Sequence, residues 1–313
     1  MKRYITIDGG TTNTRVNLVE NEKITAARKI SRGAKAGIDD KDGLKAELKI
    51  AISSILEENN LCEKDITRII ASGMITSEFG LYELPHLTAP VGISELHQST
   101  KEVSFPEISS IPFVFIRGIK VVSNSLGEFD MMRGEETELI GLMALCGCDG
   151  NAVYVLPGSH SKIISVSQDG KICRFSTMLT GEMLMALSQN TILKDAVDIS
   201  ISDCNEDFLK NGYLFSKDSG LNKVLFKLRI MKNVFKCSPE EVYGYFVGAI
   251  LCDEIEYILS LDADEIIIGG NQKLKNATSA LLKNVSDKQV TVSPDGDVER
   301  STAIGAIRIF EYN

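Results

Sequence analysis

Apolar residues come in short blocks along the first thirty positions. Tyr4 to Asp8, Thr14 to Glu20 and Lys23 to Lys29 are separated by the glycine turn at Gly9-Gly10 and the polar turn at Asn21-Glu22. Blocks of this length, bounded by turn residues, predict a three-strand meander. The same order returns far downstream. Ala152 to Leu156, Lys162 to Ser167 and Lys171 to Ser176 are strand-like, and Pro157-Gly158-Ser159-His160-Ser161 and Gln168-Asp169-Gly170 separate them. Gly10 then matches Gly158, and Glu22 matches Gly170. A repeat on this scale predicts two like domains.

Helical spacing appears between and after the meanders. Leu44, Leu48, Ala51, Ile52, Ile55 and Leu56 recur as one face of a helix, which predicts a cover for a sheet. Asp65 to Ser72 is an isoleucine-rich strand that empties into Gly73-Met74-Ile75-Thr76-Ser77, and Ile111 to Ile116 is a further strand, followed by Arg117-Gly118. Glu135-Glu136-Thr137 and Thr180-Gly181-Glu182 open helices, and Ser238-Pro239-Glu240-Glu241 is a capped helix start that should run to about Ser260. Asp195 to Leu221 is polar and weakly periodic, and it reads as an insertion. Glu265 to Ile268 is a strand ending in Gly269-Gly270-Asn271, placed where Ser72-Gly73 stands in the first half. Ser301 onward is a small-residue helix suited to close packing. The crossing between domains is expected within Gly127–Gly134, giving domains over 1–125 and 126–313, with the C-terminal helix free to pack back on the first.

Composition narrows the classes. The 313 residues, 43% hydrophobic and 25% charged, suit a globular protein of about two domains. A net charge of -9 argues against a polyanionic nucleic-acid partner, whose binding rests on clustered Lys and Arg. No run of 18 apolar residues and no apolar leader occurs, so a cytoplasmic protein without a membrane partner is expected. Seven scattered cysteines without a C-x-x-C pair read as reduced thiols. His86, His97 and His160 are too few for a multi-histidine metal centre. Neither a Walker A loop nor a G-x-G fingerprint is present.

The candidate chemistry sits in the turns. Gly9 and Gly10 let main-chain N–H groups turn toward an anion, and Thr11, Thr12 and Asn13 add donors. Asp8 is a hard oxygen ligand suited to Mg²⁺, which keeps most of its waters and takes one or two carboxylates. In the second copy, Gly158, Ser159, His160, Ser161 and Lys162 cluster donors with a positive charge, as a triphosphate requires. Gly269, Gly270 and Asn271 would let the backbone approach an adenosine.

These three elements resemble the first phosphate, second phosphate and adenosine elements of the sugar kinase, heat-shock protein and actin ATPase superfamily. Within it the chain resembles the 2-dehydro-3-deoxygalactonokinase family along nearly its full length. The matches are Ile7-Asp8-x-Gly10-x-Thr12-Asn13-x-Arg15, Ser72-Gly73-Met74, Met132 to Gly141, Pro157 to Lys162 and Thr180-Gly181-Glu182. The resemblance implies two ribonuclease H-like (actin-like ATPase) α/β domains with a central ligand cleft. It implies ATP and Mg²⁺ as cofactors, and phosphorylation of the 6-hydroxyl of 2-dehydro-3-deoxy-D-galactonate in galactonate breakdown. Gly9 departs from the aromatic usual at that position, which bears on the acceptor pocket.

For the sugar acid, Gly73, Met74 and Ser77 lie at a strand's carboxyl end, where open α/β sheets bind ligands. Arg15, Arg117 and Arg133 are the candidates for its carboxylate, since a planar guanidinium binds both oxygens. By comparison with hexose kinases the catalytic base is placed on Glu136, with Glu135, Asp130 and Glu182 as the other candidates. An actin-type filament protein and a phosphate-releasing nucleotide or polyphosphate hydrolase would share the loops and stay open as alternatives. Homodimerisation is also left open.

Overall fold

In the computed structural model, residues 2–33, 40–147, 151–201, 204–270 and 272–312 are described. Part of the Lys29–Asp42 connection and Asn271 therefore lie outside the described residues. The first meander forms as its pattern requires, as β1 (Arg3–Gly9), β2 (Thr14–Glu20) and β3 (Lys23–Ile30). Asn21 and Glu22 turn the second hairpin with φ of 49° and 60°, the left-handed pair that matches strand twist. β4 (Arg68–Gly73) joins β1 in parallel, and α1 (Lys41–Glu58) lies between them in sequence. The six apolar residues at helical spacing are the buried face of α1, and Asp40 caps its start by accepting from Gly43 N at 2.8 Å.

After β5 (Leu87–Thr88) and α2 (Ile93–Gln98), β6 (Lys101–Val103) and β7 (Phe113–Phe115) complete a six-stranded sheet of order β3-β2-β1-β4-β7-β6. β8 (Ile119–Val121) and β9 (Asp130–Met132) form a small sheet with β5. α3 (Glu135–Cys146) follows. The second meander is β10 (Ala152–Leu156), β11 (Ser161–Val166) and β12 (Ile172–Met178), and its turn uses Gly170 at φ 74°. α4 (Thr180–Asn190), α5 (Glu206–Ser219), α6 (Leu221–Leu225), α7 (Lys227–Ile230) and α8 (Pro239–Ser260) come next. β13 (Glu265–Ile268), α9 (Gln272–Val285), β14 (Gln289–Val292) and α10 (Asp295–Phe310) finish the chain. The second sheet runs β12-β11-β10-β13-β14, the order of the first five strands of the first sheet.

The chain divides into two compact units. One comprises residues 1–149, 167–174 and 294–313, the other 150–166 and 175–293. This division differs from a cut at 125/126, because residues 126–149 and the C-terminal helix group with the first unit. The first unit's core joins Ile5, Ile7, Val16 and Leu18 to the buried face of α1. The second unit's core joins Val153, Val155 and Ile163 to Phe246, Leu251 and Ile255 of α8.

The Asp195–Leu221 stretch is not a bare polar insertion. It contains α5, whose Leu209 and Tyr213 are buried in the second core. Its polarity is that of one exposed helix face, and Gly212 lies against Tyr245 of α8, where a Cβ would stand 2.0 Å from the Tyr245 carbonyl oxygen.

Candidate active site

In the first unit, parallel pairing sets Asp8 beside Ser72 and Gly9 beside Gly73, so both loops leave the sheet at one point. Three glycines let backbone crowd there. A Cβ on Gly9 would lie 2.6 Å from Ile75 N. One on Gly73 (φ 79°) would lie 2.5 Å from Gly9 O, and one on Gly134 (φ 117°) 3.2 Å from Gly73 Cα. Ile75 thus closes the space that an aromatic at position 9 would need. Asp8, its side chain 30% exposed, has Arg15 Nη1 at 3.9 Å. Burial pushes the Asp8 carboxyl up, Arg15 pulls it down, and the charge of Glu135 pushes it up again. Gly10 N–H donates to Asn13 O at 2.8 Å, which closes the turn and leaves Thr11 and Thr12 exposed. Asp8, Gly10, Thr12, Asn13, Arg15 and Lys29 line a cavity of about 210 Å³.

Gly134 precedes the first turn of α3, and the two acids after it part company. Glu135 interacts with Asp8 through its charge, and its Oε2 accepts from Arg133 N at 3.1 Å. Glu136 is fully buried. Its oxygens accept the Gly134 N–H at 2.8 and 3.0 Å, and Oε1 also accepts from the Thr137 hydroxyl at 3.1 Å. Burial pushes its pKa up to about 8, with the charge of Glu135 as the next cause. Glu136, expected as the base, thus has its carboxyl enclosed and tied to the helix start, while Glu135 is the acid whose charge acts on Asp8. Asp130 sits in β9, with Oδ1 accepting from Met131 N at 2.7 Å.

The arginines also separate. Arg133 donates from Nη1 to Thr76 O and Oγ1, both at 2.7 Å, and from Nη2 to Leu84 O at 3.0 Å, with His86 Nδ1 at 3.3 Å. Burial, then Arg133 and Lys120, push His86 down to about 4, so its ring is neutral and Nδ1 accepts. Arg133, expected at the substrate, thus holds the segment from Thr76 to His86 with both terminal nitrogens engaged. Ser77 is likewise turned inward, its hydroxyl donating to Met74 O at 2.7 Å. Arg117 is different. It follows the carboxyl end of β7, beside that of β4, and its buried Nε has no hydrogen-bond partner among the described residues.

In the second unit, β10 runs into the Pro157–Ser161 loop, and α4 seals it. Gly181 N–H donates to Gly158 O at 3.1 Å and Glu182 N–H to Ser159 O at 3.2 Å. These bonds use N–H groups that the first turn of a helix otherwise leaves open. A Cβ on Gly181 would stand 2.5 Å from Gly158 O, so this contact needs glycine. Ser159 and His160 are exposed, and His160 Nε2 lies 2.9 Å from Glu182 Oε1. That pairing sets Glu182, a further candidate for the base, beside His160. Lys162 is buried with its Nζ donating to His160 O at 3.2 Å, which places a positive charge under the loop. Gly269 N–H donates to Val155 O at 2.9 Å, and Gly270 (φ 68°) lies on Pro157, whose carbonyl oxygen would be 2.5 Å from a Cβ.

One residue of this unit escaped the sequence reading. Glu254 of α8 is buried, with Oε2 accepting from the Thr180 hydroxyl at 2.5 Å. The available signal was an acid on the apolar helix face of Val247, Leu251 and Ile258. Among the described residues, no group of three or more His, Cys, Asp or Glu side chains could hold a metal, and no helix is long and apolar enough to cross a membrane.

Comparison with known proteins places this geometry. Residues 8–306 match the sequence model of the 2-keto-3-deoxy-galactonokinase family. The chain is 29% identical over 277 residues to the 2-dehydro-3-deoxygalactonokinase of Escherichia coli (strain K12), covering 85% of each chain. In structure it is similar to a crystal structure from Sinorhizobium meliloti described as a candidate 2-dehydro-3-deoxygalactonokinase. The TM-score is 0.76 at 20% identity, over 98% of this chain and 99% of the other. It is also similar to the activator of 2-hydroxyisocaproyl-CoA dehydratase from Clostridium difficile, solved with bound ADPNP. There the TM-score is 0.51 at 12% identity, over 99% and 94% of the two chains. At such identities the likeness speaks for the fold, which is that of the actin-like ATPases and sugar kinases. The chain belongs to the 2-keto-3-deoxy-galactonokinase family.

Proposed function

We propose that the protein is an ATP-dependent carbohydrate kinase that phosphorylates 2-dehydro-3-deoxy-D-galactonate on its 6-hydroxyl. The observation that carries the reading is the meeting of Asp8, Gly73, Gly134 and Glu135 at the carboxyl ends of β1 and β4, in a chain of this family. A carboxylate beside the hydroxyl-binding point accepts the proton as the oxygen bonds to the γ-phosphorus and the bond to the departing ADP breaks. Glu135 takes that role. Arg117 receives the sugar-acid carboxylate, since its guanidinium has an unused donor on a partly buried side chain. Gly73 and Met74 border the acceptor.

The turn Gly9 to Asn13 and the loop Gly158 to Lys162 are the phosphate holders, and Gly269-Gly270 is the adenosine contact. Asp8 suits Mg²⁺, because this ion takes one or two carboxylates, keeps most of its waters and shares phosphate oxygens. When bound there, Mg²⁺ would spread the charge of the phosphate oxygens.

The test is ADP release followed with and without 2-dehydro-3-deoxy-D-galactonate, with the phosphate position of the product read by NMR. ADP formation that requires the acceptor, with phosphate on oxygen 6, is the expected result. Free phosphate released at the same rate without any sugar acid would make the protein a hydrolase and end the proposal.

A further inference from the structure

Glu254 is a carboxyl group buried inside the second unit. It is 1% exposed on α8, among Val247, Ile250, Leu251, Ile255 and Ile258, and its Oε1 has no hydrogen-bond partner of its own among the described residues. An apolar residue of similar size at such a position is usually neutral or stabilising, so fold stability does not account for an acid there. Its contacts do. Oε2 accepts from the Thr180 hydroxyl at 2.5 Å. The Ser161 hydroxyl is the carboxyl's other neighbour, drawing its pKa down while burial, the larger cause, raises it. Thr180 opens α4, whose Gly181 and Glu182 N–H groups hold the carbonyls of Gly158 and Ser159. Ser161 ends the same loop, and its hydroxyl accepts from Gly158 N at 3.4 Å. One carboxyl therefore reaches the support under both ends of the loop.

We propose that Glu254 is a positioning residue for nucleotide binding, fixing the Gly158–Ser161 loop through Thr180 and Ser161 in the geometry that receives phosphate oxygens. This rests on the reading of that loop as a phosphate holder. It touches no substrate and acts through the loop alone, so its removal weakens ATP binding and spares the sugar acid.

The experiment compares wild type, Glu254→Leu, Glu254→Gln and Thr180→Val by calorimetric titration with MgATP and by steady-state kinetics in both substrates. Glu254→Leu keeps bulk and loses the Thr180 hydrogen bond and the polar contact with Ser161, so it should raise the Kd and KM for ATP by about tenfold, with the sugar-acid KM within about twofold of wild type. Glu254→Gln should recover most of the affinity, because an amide accepts from Thr180 and donates to Ser161. Thr180→Val should weaken ATP in the same direction. If Glu254→Leu does not fold, Thr180→Val decides: weaker ATP binding supports the proposal, and unchanged binding overturns it. Wild-type ATP affinity in Glu254→Leu, an equal rise in both KM values, or Glu254→Gln no better than Glu254→Leu would each overturn it. Failure of the wild type to bind MgATP at all would instead refute the reading of the loop.

Discussion

Glu135 and Glu136 differ in sequence by one position and in environment by the thickness of a helix. Consecutive helical residues point about 100° apart, so one can meet Asp8 while the other is enclosed. Glu135→Gln should lower kcat by about 10² to 10⁴-fold, the usual worth of a positioned base, and leave both KM values close to wild type. Glu136→Gln should cost far less in kcat. Its effect belongs to stability: folded Glu136 holds its proton to about pH 8, whereas the unfolded chain releases it near its ordinary value of 4.5. The unfolded state therefore gains by ionising as pH rises through that window, and this acid's contribution to stability is lost there. Melting curves from pH 5 to 8 should fall more steeply for wild type than for Glu136→Gln, and parallel curves would refute the assignment. Arg117→Ala should raise the sugar-acid KM by about tenfold or more and leave the ATP KM unchanged. An unaltered sugar-acid KM would return the search to Arg15.

Two helix pairs hold these residues in place, and both depend on glycine. In the first unit, α3 and α10 approach so closely that a Cβ on Gly305 would lie 1.9 Å from Thr137 O, and one on Gly141 1.8 Å from Ser301 O. In the second, Gly212 of α5 and Gly248 of α8 make the equivalent contact, the latter's Cβ falling 1.9 Å from Leu209 O. Alanine is the better helix former by about 1 kcal/mol, so Gly305→Ala on an exposed face would stabilise. Here backbone stands in the way, and overpacking costs about 1–3 kcal/mol, so the net sign should be destabilising. Urea denaturation of Gly305→Ala and Gly248→Ala measures it. Gly305→Ala should also lower kcat, since α3 carries Glu135, whereas Gly248→Ala should act on ATP affinity through α8 and Glu254. A stability gain in either variant would show that the helices separate freely.

At the scale of the molecule, the proposed reading gives each unit its own share of the ligand contacts, and on that reading the two should be separable by linkage. A ligand at 100 times its Kd stabilises the folded state by about 2.7 kcal/mol. MgATP should therefore raise the wild-type melting temperature by several degrees. Gly270→Val should lose that shift, because its φ of 68° and the contact with Pro157 admit no side chain. Arg117→Ala should keep the ATP shift and lose the one produced by the sugar acid. If Arg117→Ala loses both, the residue supports the fold and does not bind the acceptor.

Local pattern made much of this protein legible in advance. The two meanders, the buried face of α1, the capped start of α8 and the glycine turns after Asp8, Leu156 and Ile268 all follow from residues close in sequence. Strand alternation, helix periodicity and turn chemistry act over a few positions. The motifs between Asp8 and Glu182 were readable for the same reason, as was the family they point to. What the tertiary structure decided depends on contacts between distant segments. Whether Glu135 or Glu136 faces Asp8 is set by how α3 docks. Arg133 is spent on Thr76, Leu84 and His86, and Arg117 is not, because of where a segment far upstream of Arg133 comes to rest. Glu254 acquires its meaning only from Thr180 and Ser161, each more than seventy residues away along the chain. The grouping of residues 294–313 with the first unit follows from the close contact of α10 with α3, which no window of sequence contains.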